Sequence, residues 1–182
     1  MEFFEVLEKR RSIRKFKEKE IPSEILEKIL YSSNLAPSAG NLQAYKIYVV
    51  KDKETKKEIA DAAYGQEFIA EAPIVLVFCA VPEESSWKYG PRGEELYCIQ
   101  DATIACAYAQ LAATALGLGS VWVGAFDEER IKKIIGTDNI PVAVLPIGYP
   151  DEALKKRKRK DLDEIVKSIE IVSLKKEFKK IG

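Results

Sequence analysis

The sequence predicts an α+β layered fold. Three observations carry it: an apolar run at 74–79 rich in β-branched residues, a second at 142–147, and an apolar stretch of helix length at 94–116 that ends at Gly117. The two short runs have the signature of strands covered on both faces. The long one is apolar nearly all round, so it must be buried on most sides. Helices that separate a few non-contiguous strands stack in layers. At 182 residues the chain is expected to be a single domain, 1–182, with a substantial core.

The elements follow in order. Residues 2–9 read as a short helix with Phe3, Phe4, Val6 and Leu7 on its apolar side. Pro22-Ser23 opens a second helix to about Ser33, with Ile25, Leu26, Ile29 and Leu30 at helical spacing. Lys46 to Val50 is a strand, 53–63 an amphipathic helix, and Gln66 to Glu71 a further turn or two. After the strand at 74–79, residues 82–93 read as a loop because Pro82, Gly90, Pro91 and Gly93 punctuate them. A membrane span competes for 94–116 on length. Gln100, Asp101, Thr103 and Gln110 argue for a helix at the centre of the fold instead. Val121 to Phe126 is a short strand or extended turn, and Asp127 caps a helix to about Ile135. Leu162, Ile165 and Val166 mark a last short helix. Residues 168–182 alternate weakly at Ile169, Ile171 and Leu174, and are expected to form a C-terminal arm suited to packing on a partner subunit.

Composition excludes several classes of chemistry. The 29 basic and 29 acidic residues cancel, which argues against a general nucleic-acid binder. There is no histidine, so Ser-His-Asp, Cys-His and His-ligated zinc machinery are ruled out. Cys79, Cys98 and Cys106 form no CxxC and lie in apolar runs, as buried inert thiols do; no metal site is expected. Residues 1–20 are too charged for a signal peptide, and a cytoplasmic protein is expected. Any difficult chemistry then falls to a cofactor.

Two basic segments stand near the ends of the chain: Arg10-Arg11-Ser12-Ile13-Arg14-Lys15-Phe16 and Lys155-Lys156-Arg157-Lys158-Arg159-Lys160. In extended chain Arg10, Ser12 and Arg14 share one face, as do Arg157 and Arg159. Guanidinium forks with a hydroxyl make a dianion clamp. A basic run also serves as solvated surface or as a helix end that complements the dipole. Between the segments lies the loop Ala36-Pro37-Ser38-Ala39-Gly40-Asn41-Leu42-Gln43, with backbone and side-chain amides able to grip a polar ring edge. Together these features suggest a phosphorylated heterocycle as ligand. Gly117-Leu118-Gly119 followed by Gly124 has the wrong spacing for a dinucleotide fingerprint, and it follows a helix instead of a strand.

These motifs, in this order, resemble those of the nitroreductase family of FMN flavoproteins. Arg-Arg-Ser-x-Arg looks like that family's opening motif, and residues 37–43 look like its Pro-Ser-x-x-Asn-x-Gln loop. Residues 115–126 resemble the end of its central helix and its flavin-facing turn. Pro146-Ile147-Gly148-Tyr149-Pro150, followed by Arg157-Lys158-Arg159, resembles its closing segment. The likeness spans roughly 3–167. Two positions depart from the family pattern. Many members have Pro-Trp where this chain has Ala44-Tyr45, and some have Glu-Gly where it has Gly124-Ala125.

The resemblance implies a central mixed or antiparallel sheet flanked by helices, with a long buried helix, in an intertwined homodimer. Arg10, Ser12, Arg14, Arg157 and Arg159 would hold the phosphate and ribityl chain of FMN, with the Arg11 backbone alongside. Pro37, Ser38, Ala39 and Asn41 would come from the partner subunit, and Gln43 would contact the same region. Gly124 and Ala125 would present backbone N–H groups to the N5/O4 edge, where reduction places electron density. NADH or NADPH would deliver a hydride to N5, and a nitroaromatic, quinone or similar conjugated small molecule would take two electrons in a ping-pong cycle. No protein side chain is assigned as catalytic. Trp87, Tyr89 or Arg92 either close over the flavin or belong to a surface loop. Asp101 reads as a buried, hydrogen-bonded structural group, although its place near the flavin in related chains keeps it a candidate. The rival readings are different chemistry on the same fold (reductive dehalogenation or flavin breakdown) and a non-enzymatic FMN or anion-binding module.

Overall fold

The computed structural model describes residues 1–153 and 158–167. Strand β2, Ile74–Ala80, is buried at every position and organises the rest. It pairs antiparallel with β1, Tyr45–Val50, on one side and with β4, Ile140–Gly148, on the other. The two-residue strand β3, Gly119–Ser120, pairs antiparallel with the far edge of β4, giving the order β1-β2-β4-β3. A single parallel bridge from Ser12 to Ser120 makes that edge mixed.

Alternation along β2 divides the core between two layers, because successive side chains leave opposite faces of a strand. Val75, Val77 and Cys79 face a cluster with Ile59, Ala60, Ile69 and Ile131. These come from α3 (Lys53–Ala62), α4 (Phe68–Glu71) and α7 (Glu128–Ile135). Ile74, Leu76 and Phe78 face Leu26, Ile29, Ala105, Cys106, Ala109 and Ala113. Those belong to α2 (Ser23–Asn34) and α6 (Cys98–Ala115). A sheet between two helical layers is the α+β architecture the sequence predicts.

The long helix departs from expectation at its start. It begins as a π-helical turn at Gly93–Tyr97 and becomes α-helical only from Cys98. Ile104, Ala107, Tyr108 and Leu111 share one face by helical spacing and stay partly exposed. On α1, Phe3–Lys9, only Val6 of the four apolar residues is buried; Phe3, Phe4 and Leu7 are exposed. Among the described residues no helix is long and apolar enough to cross a membrane.

Residues 82–93, expected to be a loop, form helix α5, Pro82–Arg92. Pro82 sits at the helix start, where its missing N–H costs nothing, and Glu83 and Glu84 favour the positive end of the dipole. Gly90, at φ 57° and ψ −146°, breaks the helix in a conformation that only glycine adopts readily. The segment 121–126, expected as a short strand or extended turn, meets the sheet by a bridge between Val123 and Val144, and the paired strand lies just before it at Gly119 and Ser120. The expected helix near 162 is α8, Leu162–Ile165, with the Asp161 N–H donating to Glu164 Oε1 at 3.1 Å. The expected C-terminal arm at 168–182 lies outside the described residues.

Candidate functional site

The N-terminal basic segment is extended because it docks on a sheet edge. Ile13 N–H donates to the Ser120 carbonyl at 3.0 Å, and Lys17 N–H to that of Tyr149 at 2.9 Å. Ile13 and Phe16 are buried, and Arg14 and Lys15 between them are exposed. Ser12 and Arg14 are exposed and Arg10 is half-buried. Ser12 and Arg14 thus flank buried Ile13 on the exposed side, while Arg10 caps the end of α1. Gly119 must be small, since a Cβ there would lie 2.7 Å from Ile13 Cγ1.

Arg159 returns from the far end of the chain to this segment. Burial, then Arg159, then Arg11 pull the Arg10 guanidinium below its ordinary value. Among the described residues no ion pair includes Arg10, Arg11, Arg14 or Arg159. The Arg11 Nε is buried without a partner among the described residues, and its Nη1 donates to the Arg10 carbonyl at 2.7 Å. Like charges whose guanidinium groups form no ion pair among the described residues, beside a buried donor, are the features of an anion site. Arg157 lies outside the described residues.

The cluster continues across the molecule by contacts that the sequence did not reveal. Arg14 stacks over Phe68 at 5.8 Å from the ring centroid. Two residues earlier, Gln66 Nε2 donates to the Ala63 carbonyl at 2.9 Å and to the Ala125 carbonyl at 3.2 Å, tying 63–68 to the turn at 124–125. Gly124 and Ala125 are exposed, and their N–H groups meet no acceptor among the described residues. Basic segment, 66–68 and turn thus form one surface, with cations at one end and free N–H donors at the other. A phosphorylated ring with a polar edge fits that arrangement.

The loop 37–43 is built separately. Asp101, 2% exposed in α6, accepts from Ala39 N–H at 2.9 Å through Oδ1 and from Ala44 N–H at 3.3 Å through Oδ2. This places Asp101 as the structural group the sequence suggested. It also gives the Ala44 departure a physical reading, because a proline there would have no N–H to donate. Gln43 N–H donates to Ser38 Oγ at 3.0 Å, and Gly40, Asn41 and Gln43 all take positive φ. Pro37 and Asn41 are exposed, Ser38, Ala39 and Gln43 partly so. Among the described residues no hydrogen bond or ion pair joins this loop to the basic cluster.

Helix α5 leans on the loop: a Cβ on Gly40 would collide with the Tyr89 hydroxyl and lie 2.7 Å from Lys88 Nζ. Tyr89 packs edge-on against Tyr97 at 5.2 Å, and Arg92 Nε donates to the Tyr97 hydroxyl at 3.0 Å. Trp87 projects into solvent, 73% exposed. The cysteines are free and buried, and burial pushes the Cys79 thiol up to about 12 and raises Cys98 and Cys106 as well. None is a nucleophile near neutral pH.

The nitroreductase family profile matches residues 7–67 and 63–149, and the chain belongs to that family. It is 35% identical over 188 residues to an NADH dehydrogenase of Thermus thermophilus, covering 87% of this chain and 91% of that one. It is 33% identical over 165 residues to an FMN reductase [NAD(P)H] of Bacillus subtilis, covering 82% of this chain but 66% of the longer relative. The fold superimposes on the NADPH:FMN oxidoreductase of Vibrio harveyi, complexed with NAD+, with a TM-score of 0.85 at 25% identity, covering 94% of this chain and 79% of that one. A more distant likeness, 25% identity over 200 residues, is to iodotyrosine deiodinase 1 of Mus musculus, covering 92% of this chain and 70% of that protein.

Proposed function

We propose that this chain is an FMN-dependent NAD(P)H oxidoreductase that works as a homodimer and reduces nitroaromatic, quinone or similar conjugated acceptors by a ping-pong cycle. The observation that carries the reading is the gathering of Arg10, Arg11 and Arg159, unpaired by any acid among the described residues, on the same surface as the Gly124 and Ala125 N–H groups, which meet no acceptor among those residues. Arg10, Ser12 and Arg14, with Arg157 and Arg159, would hold the phosphate and ribityl chain, and the Arg11 backbone would lie beside them. The turn at 124–125 would donate to the polar edge of the ring. When bound, FMN would supply two-electron transfer between NAD(P)H and the acceptor, chemistry that no side chain of this protein offers.

The protein's own part is to bind, orient and exclude. Pro37, Ser38, Ala39 and Asn41, whose loop makes no link to the basic cluster among the described residues, would reach the ring from the partner subunit, and Gln43 would contact the same region. A second copy would also cover Ile104, Ala107, Tyr108 and Leu111 on α6 and the exposed Phe3, Phe4 and Leu7 on α1. Trp87 on α5, beside the loop, would then border the acceptor's place. Three reduced, buried cysteines suit a cytoplasmic setting.

Reconstitution with FMN, desalting and anaerobic addition of NADH or NADPH tests the reading. Retained flavin should bleach, and an acceptor panel should restore its colour with parallel double-reciprocal plots. The likeness to a deiodinase favours including an iodophenol in that panel. Turnover of the iodophenol alone would move the assignment to reductive dehalogenation, and flavin that never bleaches would make the chain a binding module.

A further inference from the structure

The two ends of the chain meet through one carboxylate that the basic motifs do not contain. Glu152 Oε1 accepts from the backbone N–H groups of Arg14 at 2.5 Å and Lys15 at 3.1 Å, across 138 and 137 residues of sequence. Two consecutive amides thus converge on one carboxylate oxygen, a charge-assisted contact made through backbone donors alone. The surrounding contacts align the same two segments: Asp151 N–H donates to the Lys15 carbonyl at 2.9 Å, Asp151 Oδ2 lies 3.5 Å from Lys15 Nζ, and Phe16 bridges Pro150. Arg159, a short way further along the chain, is the cation whose charge reaches Arg10.

We infer that Glu152 is a positioning residue for the anion site, a clasp that fixes the Arg14 backbone against Asp151 and Glu152. By engaging backbone amides it leaves the arginine side chains to the ligand, and it fixes where Arg14 stands on the sheet edge. The inference rests on the proposed FMN reading of that site. It makes a prediction opposite in sign to simple electrostatics. Removing a negative charge beside a dianion site should tighten binding if Glu152 acts only through its charge. It should weaken binding if Glu152 acts by holding the cations in place.

The test compares FMN and riboflavin, which lacks the phosphate, as ligands of the full-length wild type, Glu152→Ala and Glu152→Gln. Glu152 is exposed, so neither substitution opens the core. Glu152→Ala should weaken FMN about tenfold or more while leaving riboflavin affinity near the wild-type value. Glu152→Gln, whose amide oxygen still accepts both N–H groups, should bind FMN like wild type. Unchanged or tighter FMN binding by Glu152→Ala, or a parallel loss of riboflavin, would overturn the clasp. A wild type that binds no FMN would overturn the flavin reading itself, and the clasp with it.

Discussion

Asp101 holds the backbone of Ala39 through a 2.9 Å hydrogen bond from the first turn of α6. Its other oxygen holds Ala44, so a single carboxylate fixes both ends of the loop carrying Ser38, Asn41 and Gln43. Replacing Asp101 by Asn leaves one N–H facing an amide donor. A buried donor without an acceptor costs about 1–3 kcal/mol. Urea unfolding should show a loss of that size, and FMN affinity should fall because the loop loses its shape. Full affinity in Asp101→Asn would show that the loop does not depend on this anchor.

Arg159 offers the opposite combination of effects. In the apo chain it adds to the like charge around Arg10, and it has no ion-pair partner among the described residues. Arg159→Ala should therefore leave apo stability unchanged or slightly raised. A hydrogen bond to a charged group contributes about 1.5–3 kcal/mol, so FMN should bind roughly 10- to 100-fold more weakly. Calorimetry of the apo protein and fluorescence titration with FMN check the two halves separately.

Gly119 couples the fold to the site. A methyl group there would lie 2.7 Å from Ile13 Cγ1 and 2.9 Å from Ile13 Cβ. Trimming Ile13 to Ala keeps its Cβ, so the clash persists and the basic segment must move off the sheet edge. Gly119→Ala should cost about 1–3 kcal/mol by overpacking and weaken FMN, and Ile13→Ala/Gly119→Ala should not restore either. Restoration in the double variant would contradict the docking described.

Much of this was legible in the sequence where the signal is local. The apolar run at 74–79 announced a strand covered on both faces, and the spacing of Ser12 and Arg14 about Ile13 announced their exposure. The segment 82–93 misled because Pro82, Gly90, Pro91 and Gly93 are the same residues that punctuate loops, whereas here Pro82 starts a helix and Gly90 ends its regular part. Gln66, Phe68 and Glu152 carried no signal at all. Each acts on a partner distant in sequence, such as Ala125 or Arg14, and an ordinary polar or aromatic residue becomes part of a site only when the fold delivers that partner.

Cysteine titration gives a stability prediction with a definite sign. Cys79 is fully buried, and its thiol is raised from an ordinary value of 9.0 to about 12. Between those values the unfolded chain loses the proton while the folded chain keeps it. Stability is therefore fully present below pH 9 and falls as pH rises toward 12, by about 1.4 kcal/mol per pH unit for each such thiol. Cys79→Ala should flatten that slope, and iodoacetamide at about pH 8, below the ordinary thiol range, should label the thiols only in urea. Rapid labelling of the native chain would contradict the burial.

On the proposed reading, each FMN is held by a basic cluster from one copy of the chain and a loop from another. Sedimentation equilibrium of the FMN-reconstituted protein, followed through the visible absorbance of the flavin, decides whether this is so. Flavin should sediment at twice the 20.5 kDa mass of the chain, with one FMN per chain. Flavin sedimenting with a single chain, or left behind in the buffer, would refute it.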